Sequence, residues 1–144
     1  MSASIGAVIR PAGFENAQGL ISAAYNKDPA DPQWQSDPGM QRFRAFVDAY
    51  APDASRTDNS VAYGYGAAQC VVEVLRRAGD DLTRANVMRQ AASLKGYAPD
   101  TLLPGITVDT ASDDFHPIEQ LRMIRFSGDH WELFGPVIGG ELHN

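Results

Sequence analysis

The sequence has one cysteine, few basic residues and no long hydrophobic run. Because Cys70 stands alone, an internal disulfide is excluded, and its apolar helical context does not favour a reactive thiolate. Lys and Arg total 12 against 18 Asp and Glu, a formal net charge of −6. This balance argues against binding to nucleic acid or to anionic membranes, which basic patches recognise. No stretch approaches the ~20 consecutive apolar residues of a membrane-spanning helix.

The sequence also lacks an export signal and a catalytic or metal-binding motif. MSASIGAVIRPAG has no basic segment followed by an apolar run of roughly 7–15 residues, so we expect no signal peptide in this polypeptide. Pro117 prevents His116 and Glu119 from sharing one helix face, and His130 and His143 lie in turn or tail contexts. We therefore expect no enzyme, no metal and no cofactor.

Hydrophobic patterning predicts strands near the N-terminus and then helices. The 144 residues suffice for one domain with a real core. The β-branched run from Ile5 to Ile9 and the run from Leu20 to Tyr25 are typical of short strands. Three Asp-Pro pairs then mark residues 26–38 as a loop.

Three helices follow this loop in the prediction. Asp37 and Pro38 begin the first, because Asp suits an N-cap and Pro the first helical position. Its apolar stripe comprises Met40, Phe43, Phe46, Val47 and Tyr50. Asn59 or Ser60 caps the second, which ends at Gly79 and has an apolar face of Val61, Tyr65, Ala68, Val72 and Leu75. Thr83 caps the third, which Gly96 stops.

The C-terminal part again has the pattern of strands. Residues 106–109 form a short run, and residues 120–126 and 131–134 flank a hairpin turn at 127–130. The order of strands, three helices and strands predicts a compact α/β or α+β lobe. Few strands are available to cover three amphipathic helices.

Several blocks together carry a family resemblance. They are GLISAAYNKDPADPQW (19–34), VAYGYGAAQCVVEVL (61–75), DDLTRANVMRQAASLKG (80–96), LLPGITVDT (102–110) and MIRFSGDHWELFG (123–135). In this order they resemble the C-terminal part of the branched-chain amino-acid type (type I) of periplasmic substrate-binding protein. Proteins of that type are the receptors of ABC importers. The resemblance covers nearly the whole chain.

The resemblance implies a partial type I fold with one lobe incomplete. Residues 1–27 would be the end of the second lobe and the hinge crossing, with Tyr25, Asn26 and Lys27 at the hinge. Residues 28–126 would be the C-terminal portion of the N-terminal lobe, and 127–144 a return segment to the second lobe. The chain would then be a fragment of a longer, periplasmic parent.

The candidate ligand-binding residues are Ser2, Ser4, Ser60 and Tyr63. Ser60 and Tyr63 stand at the N-terminus of the second predicted helix, where free backbone N–H groups suit a carboxylate. By resemblance, the acid that holds a substrate amino group would fall near residues 2–4, where this sequence has Ser2, Ala3 and Ser4. The missing acid argues against an α-amino acid and leaves room for a carboxylate without an ammonium group, such as an aromatic or aliphatic acid. The alternative is that these residues only pack or cap.

The expected partners of the parent are a small-molecule ligand, either an amino acid or an aromatic or aliphatic acid, and an ABC permease; the expected partner of this chain is a second copy. Helical stripes without enough sheet would leave an apolar patch that favours a two-fold dimer. A second hypothesis is a stand-alone oligomerising module for protein–protein interaction. A third is a fragment of an α/β enzyme, for which the sequence shows no catalytic constellation.

Overall fold

The computed structural model describes residues 4–114 and 116–140. Its regular elements, in chain order, are a π-helical turn Ile5–Ile9, α1 Arg10–Ala12, a 3-10 turn Phe14–Ala17, β1 Ile21–Ala24, a 3-10 turn Pro32–Trp34, α2 Pro38–Tyr50, α3 Asn59–Ala78, α4 Arg84–Ala91, β2 Gln120–Ser127 and β3 His130–Gly139. The mixed α/β class expected from the sequence is confirmed, with four α-helices, one of them very short. None of the helices in this part of the chain is long and apolar enough to cross a membrane.

One antiparallel sheet joins the two ends of the chain. The strand order is β1-β2-β3, so strands 21–24 and 120–127 are neighbours in space although the helices separate them in sequence. Ser127 pairs with His130 across a two-residue turn, which confirms the predicted hairpin. Gly128 has a φ of 62° there, which glycine tolerates without strain. β1 confirms the strand predicted between Leu20 and Tyr25.

The core has two parts. The larger lies between the inner face of the sheet, the N-terminal helical turn and the loops after α4, with Ile5, Phe126 and Trp131 among its members. The smaller part consists of Met40, Phe43, Val47 and Ala62, where α2 packs on α3. The predicted α2 stripe is therefore only partly buried, because Phe46 is 45% exposed and Tyr50 77% exposed.

The predicted caps of α2 and α4 are confirmed. The Asp37 side chain accepts a hydrogen bond from the backbone N–H of Met40 at 2.8 Å, and Pro38 is the first helical residue. The Thr83 hydroxyl accepts from the N–H of Asn86 at 3.4 Å. α4 ends at Ala91, five residues before Gly96.

The strand predicted at Ile5–Ile9 is wrong, because these residues form a helical turn. Ile5 and Ile9 lie four positions apart and are both buried, which a helix achieves by placing them on one face. The Asp28 carboxylate accepts the free N–H of Ile5 at 2.7 Å. A contact 23 residues away therefore stabilises the start of this helix, and β-branching near the N-terminus could not reveal it.

Two expectations for α3 are also wrong. Its N-cap is Asp58, whose side chain accepts from the N–H of Ser60, and Asn59 is the first helical residue. The predicted apolar face is wrong in its C-terminal part: Val61 and Tyr65 pack against the smaller core, whereas Ala68, Val72 and Leu75 are exposed. The buried line of α3 is instead Ala62, Gly66, Val74 and Ala78. Three of these four residues are alanine or glycine, so close packing here favours small side chains over larger apolar ones.

The short strand expected at residues 106–109 is reduced to an isolated bridge. Val108 pairs with Tyr97, with the Tyr97 N–H donating to Val108 O at 3.2 Å and the reverse bond at 2.6 Å. Neighbouring residues bond elsewhere: Asp109 Oδ1 accepts from the N–H of Gly96, and the Thr110 N–H donates to Leu94 O. A ladder therefore does not extend beyond one pair.

Candidate functional site

An open groove of about 480 Å³ lies between the first turn of α3 and the end of β1. It brings together four of the residues predicted for the ligand site or the hinge: Tyr25, Asn26, Ser60 and Tyr63. The rest of its lining is Ala23, Ala24, Asn59 and Leu121. These residues come from three regions of the sequence, and Leu121 of β2 precedes Arg122, which pairs with Ala24 of β1.

The groove lining carries hydroxyl and amide groups but no ionisable acid or base other than tyrosine, within the described residues. Tyr25 and Tyr63 both line this groove. Burial raises the pKa of the Tyr25 phenol, and the neighbouring Tyr63 raises it further. Asn59 Oδ1 is buried and has no hydrogen-bond partner in the structure. Such an acceptor is satisfied when a donor reaches it.

The start of α3 is less open to an anion than the sequence suggested. The N–H of Ser60 donates to Asp58 Oδ1 at 2.7 Å, so one of the free donors of the helix is already occupied. The Asp58 carboxylate also counters the positive end of the helix dipole. Because Asp58 provides the cap, the Ser60 hydroxyl is not needed for capping. Hydroxyl and amide groups are therefore the main polar contacts that this wall offers.

Ser4 lies apart from the groove. Its hydroxyl accepts from the N–H of Ala7 at 3.5 Å and caps the N-terminal helical turn. Burial holds the pKa of the Asp28 carboxyl, which accepts from the same helical turn, above its usual value despite backbone donors at Ile5 and Ala30. The structure thus gives Ser4 a capping contact and does not bring it to Ser60 and Tyr63. Ser2 and His143 lie outside the described residues.

The predicted hinge residues pair with residues 101–103. The N–H of Lys27 donates to Thr101 O at 2.8 Å, the N–H of Leu103 donates to Tyr25 O at 2.8 Å, and Asn26 bridges to Leu102. This pairing fixes the end of the crossing against the loop that follows α4.

Lys27 is itself anchored rather than free. Its buried ammonium pairs with the Asp37 carboxylate at 2.9 Å and lies 5.6 Å from the centre of the Trp34 ring. Burial would raise the pKa of the Asp37 carboxyl, but the hydrogen bond from Lys27 and the N–H of Met40 outweigh it, so this pKa lies below its usual value. Of the three predicted hinge residues, Lys27 therefore has the strongest side-chain restraint.

A second, apolar groove of about 400 Å³ runs along α3 and shares Tyr25, Asn26 and Tyr63 with the first. Its walls come from α3, α4 and the loops after α4, including Val74, Leu94 and Ile118. Cys70 also lines it, and burial raises the pKa of the Cys70 thiol, so the thiolate needed for nucleophilic chemistry is disfavoured. Among the described residues, no three His, Cys, Asp or Glu side chains converge to hold a metal ion.

The sequence matches the model of a family described as periplasmic binding protein over residues 2–130. The chain belongs to this family. Its members are substrate-binding transport proteins rather than enzymes. The recognition made from the five sequence blocks is confirmed at this level. No curated protein sequence matches this one.

A solved structure supports the fold independently. It is described as a branched chain amino acid ABC transporter from Thermus thermophilus with bound valine, and it superposes on this chain with a TM-score of 0.73 at 20% identity. The match covers 93% of this chain and 36% of the relative. The chain therefore has a partial periplasmic-binding-protein fold and spans about a third of that relative's length.

Proposed function

We propose that this chain forms one wall of the ligand cleft of a solute-binding protein that serves an ABC importer. The observation that carries the proposal is the meeting of Ser60 and Tyr63 on α3 with Tyr25 and Asn26 on the crossing, around one groove. Membership of the family supports the solute-binding role. In this proposal the chain is a fragment of a longer periplasmic parent, which delivers its ligand to a permease.

The proposed ligand is a small carboxylate-bearing molecule with an apolar or aromatic body. The two tyrosines, Leu121 and the alanines of the groove suit such a body. The lining has no charged side chain that could pair with a second charged group on the ligand. The donors that bind the carboxylate would include the Ser60 and Tyr63 hydroxyls. Asp58 at the start of α3 makes a strongly anionic ligand less favourable at this wall.

The proposed division into lobes follows the sheet. Residues 1–27 and the return segment would belong to the second lobe, with the hinge at residues 25–27. The return segment was expected to begin after residue 126. Since β2 pairs with both β1 and β3, we propose that it begins at Gln120. Residues 28–119 would then belong to the N-terminal lobe.

The function is tested by calorimetry with a panel of amino acids and of aromatic and aliphatic acids. We expect binding by a longer parent that contains this chain, and weak or no binding by the 144 residues alone, since one wall supplies few contacts. Sub-micromolar binding by the chain alone would contradict the idea that most of the site lies elsewhere. No binding by the parent to any member of the panel would contradict the ligand class.

In that parent, Ser60→Ala and Tyr63→Ala are expected to weaken ligand binding and leave stability nearly unchanged. Loss of one neutral hydrogen bond costs roughly 0.5–1.5 kcal/mol, and more where the acceptor is charged. The control is Asp58→Ala, which removes the cap of α3 and should cost about 1 kcal/mol of unfolding free energy. Dissociation constants and denaturant midpoints are measured on each variant.

Ser60→Ala and Tyr63→Ala should therefore change mainly the dissociation constant, and Asp58→Ala mainly the stability. Ser60→Ala with an unchanged dissociation constant would remove Ser60 from the site. A stability loss for Ser60→Ala equal to that for Asp58→Ala would show that Ser60 stabilises the helix end after all.

A second candidate function is a stand-alone oligomerising module. The exposed apolar side chains on and around α3 favour it, because an isolated chain rarely leaves so many in water. They are Val71 and Val72 at 58% and 53% exposed, Leu75 at 44%, Leu82 at 62% and Met88 at 55%. A second copy of the chain could cover this surface in a two-fold dimer.

The isolated chain is accordingly expected to be a dimer at micromolar concentration, measured by light scattering after size exclusion. Val71→Glu and Leu75→Glu should shift it to a monomer, because a buried carboxylate without a partner is costly. Glu in place of the exposed Tyr50 on α2 is the matched control and should leave the dimer intact. A stable wild-type monomer would count against association through α3.

A further inference from the structure

The loop at residues 99–103 contacts the crossing, α2 and α3 at the same time. Its backbone pairs with the crossing through the Lys27 N–H to Thr101 O and the Leu103 N–H to Tyr25 O, both 2.8 Å. Thr101 packs so closely on α3 that a Cβ at Gly66 would lie 2.4 Å from its hydroxyl. One short loop therefore links the two walls of the candidate groove.

Asp100 makes most of the polar contacts within this loop. Its Oδ2 accepts from Gln69 Nε2 at 2.8 Å and from Tyr65 Oη at 3.1 Å, both on α3. Arg42 of α2 donates to the same carboxylate through two nitrogens: Nε donates to Oδ2 at 3.0 Å, and Nη2 donates to Oδ1. The Asp100 N–H donates to Gln69 Oε1 at 2.9 Å.

The backbone of Asp100 completes the link to the crossing. Its carbonyl accepts from Lys27 Nζ at 2.9 Å, so the ammonium bridges it to Asp37. The Asp100 side chain is only 11% exposed, although Arg42 is mostly in solvent. A carboxylate shielded in this way makes stronger contacts than a surface one. Two of its partners lie on α3 within the two turns that follow Ser60 and Tyr63.

We propose that Asp100 is a positioning residue, which holds the first turns of α3 at a fixed distance from residues 25–27 and so sets the spacing of Tyr63 from Tyr25 across the groove. The ligand-binding role of the groove rests on the proposed function. The positioning itself is a property of the ligand-free chain. It can therefore fail or succeed independently of ligand binding.

The test compares Asp100→Asn with Glu73→Gln by NMR on the full chain without ligand. Asparagine keeps the shape of the side chain but loses its charge, and its amide would face the donors of Arg42 or Gln69. Glu73 is the matched control, since its carboxylate also binds two arginines, Arg76 and Arg77, but entirely within α3. Each variant therefore removes the charge of one carboxylate that bonds to side chains of α3.

Two signals report the positioning. The amides of Lys27 and Leu103 should exchange with solvent roughly tenfold faster or more in Asp100→Asn, because their pairing with the loop loosens. The pKa of Tyr25, followed through its ring carbon, should fall toward its ordinary value, because a wider groove exposes the buried phenol and moves Tyr63 away from it. Glu73→Gln should change neither signal.

Unchanged exchange and an unchanged Tyr25 titration in a folded Asp100→Asn would overturn the proposal. Equal changes in Glu73→Gln would overturn it as well, because the effect would then not depend on Asp100. If Asp100→Asn does not fold, Tyr65→Phe takes its place. That variant removes only the hydroxyl at Asp100 and keeps the ring, whose centre is 5.5 Å from that of Phe43. It should move both signals in the same direction by less, and no movement would refute the positioning role.

Discussion

Replacing Phe126 with alanine is expected to lower the free energy of unfolding by about 3–5 kcal/mol, the range for a fully buried aromatic residue. Phe126 on β2 is completely inaccessible to solvent. Its ring makes edge-to-face contacts with Phe14 and Trp131, at centroid distances of 5.6 and 5.3 Å. It therefore joins the N-terminal helical segment to the sheet. The cavity left by alanine lies between these two elements, so movement of one of them alone cannot close it. Denaturant unfolding followed by tryptophan fluorescence gives the value.

Phe46→Ala is the matched control for this substitution. Phe46 also contacts two aromatic rings, those of Tyr50 and Tyr65, but it is 45% exposed. About half of its apolar surface is already in water, so its loss should cost about 1 kcal/mol. Equal losses for the two variants would mean that the sheet does not form the main core.

Elements stabilised by adjacent residues could be predicted from the sequence. The Asp37 and Pro38 signal for α2, the Thr83 cap and the Gly128 turn each depend on side chains within a few positions of the backbone groups that they satisfy. The start of α3 shows the limit of this reasoning. Asp58, Asn59 and Ser60 are all good caps, and only the geometry selects Asp58.

Elements stabilised by distant contacts could not be predicted. The helical turn at Ile5–Ile9 depends on Asp28, and the contact face of α3 depends on Thr101, which packs against Gly66. Hydrophobic periodicity gives no weight to glycine, so the pattern favoured Val72 and Leu75 over the small residues that lie in the interface. The small residues Ala62, Gly66 and Ala78 on one side of the helix were the signal available in the sequence.

The candidate site divides in the same way. Ser60 and Tyr63 were predicted from their place at a helix N-terminus, and Tyr25 and Asn26 through the family resemblance; the structure brings all four to one groove. Leu121 and the buried Asn59 Oδ1 were not predicted, because strand pairing and the position of the helix start place them there. Asp100 was missed for a related reason. Its contacts with Arg42 and Gln69 span 58 and 31 residues, and no local motif marks them.

Gly39→Ala is expected to destabilise the chain by about 1–3 kcal/mol, the usual cost of overpacking. A Cβ at this position would lie 2.7 Å from the Asp100 carbonyl oxygen and 3.1 Å from its Cα. These are backbone atoms of a loop already bonded to the crossing and to both helices, so they cannot move aside without loss of other contacts. The substitution should therefore lower stability and also accelerate exchange of the Lys27 and Leu103 amides.

Gly64→Ala on α3 is expected to raise stability, the opposite of the effect expected for Gly39→Ala on α2. A Cβ at Gly64 meets nothing within 4 Å, and Gly64 lies in the first turns of α3. Alanine is favoured over glycine inside a helix by roughly 0.8–1 kcal/mol, so this variant should be more stable than the wild type. The two glycine substitutions add the same methyl group and differ in sign only because of the loop around Asp100. Stabilisation by both, measured by denaturant unfolding, would show that α2 does not pack against that loop.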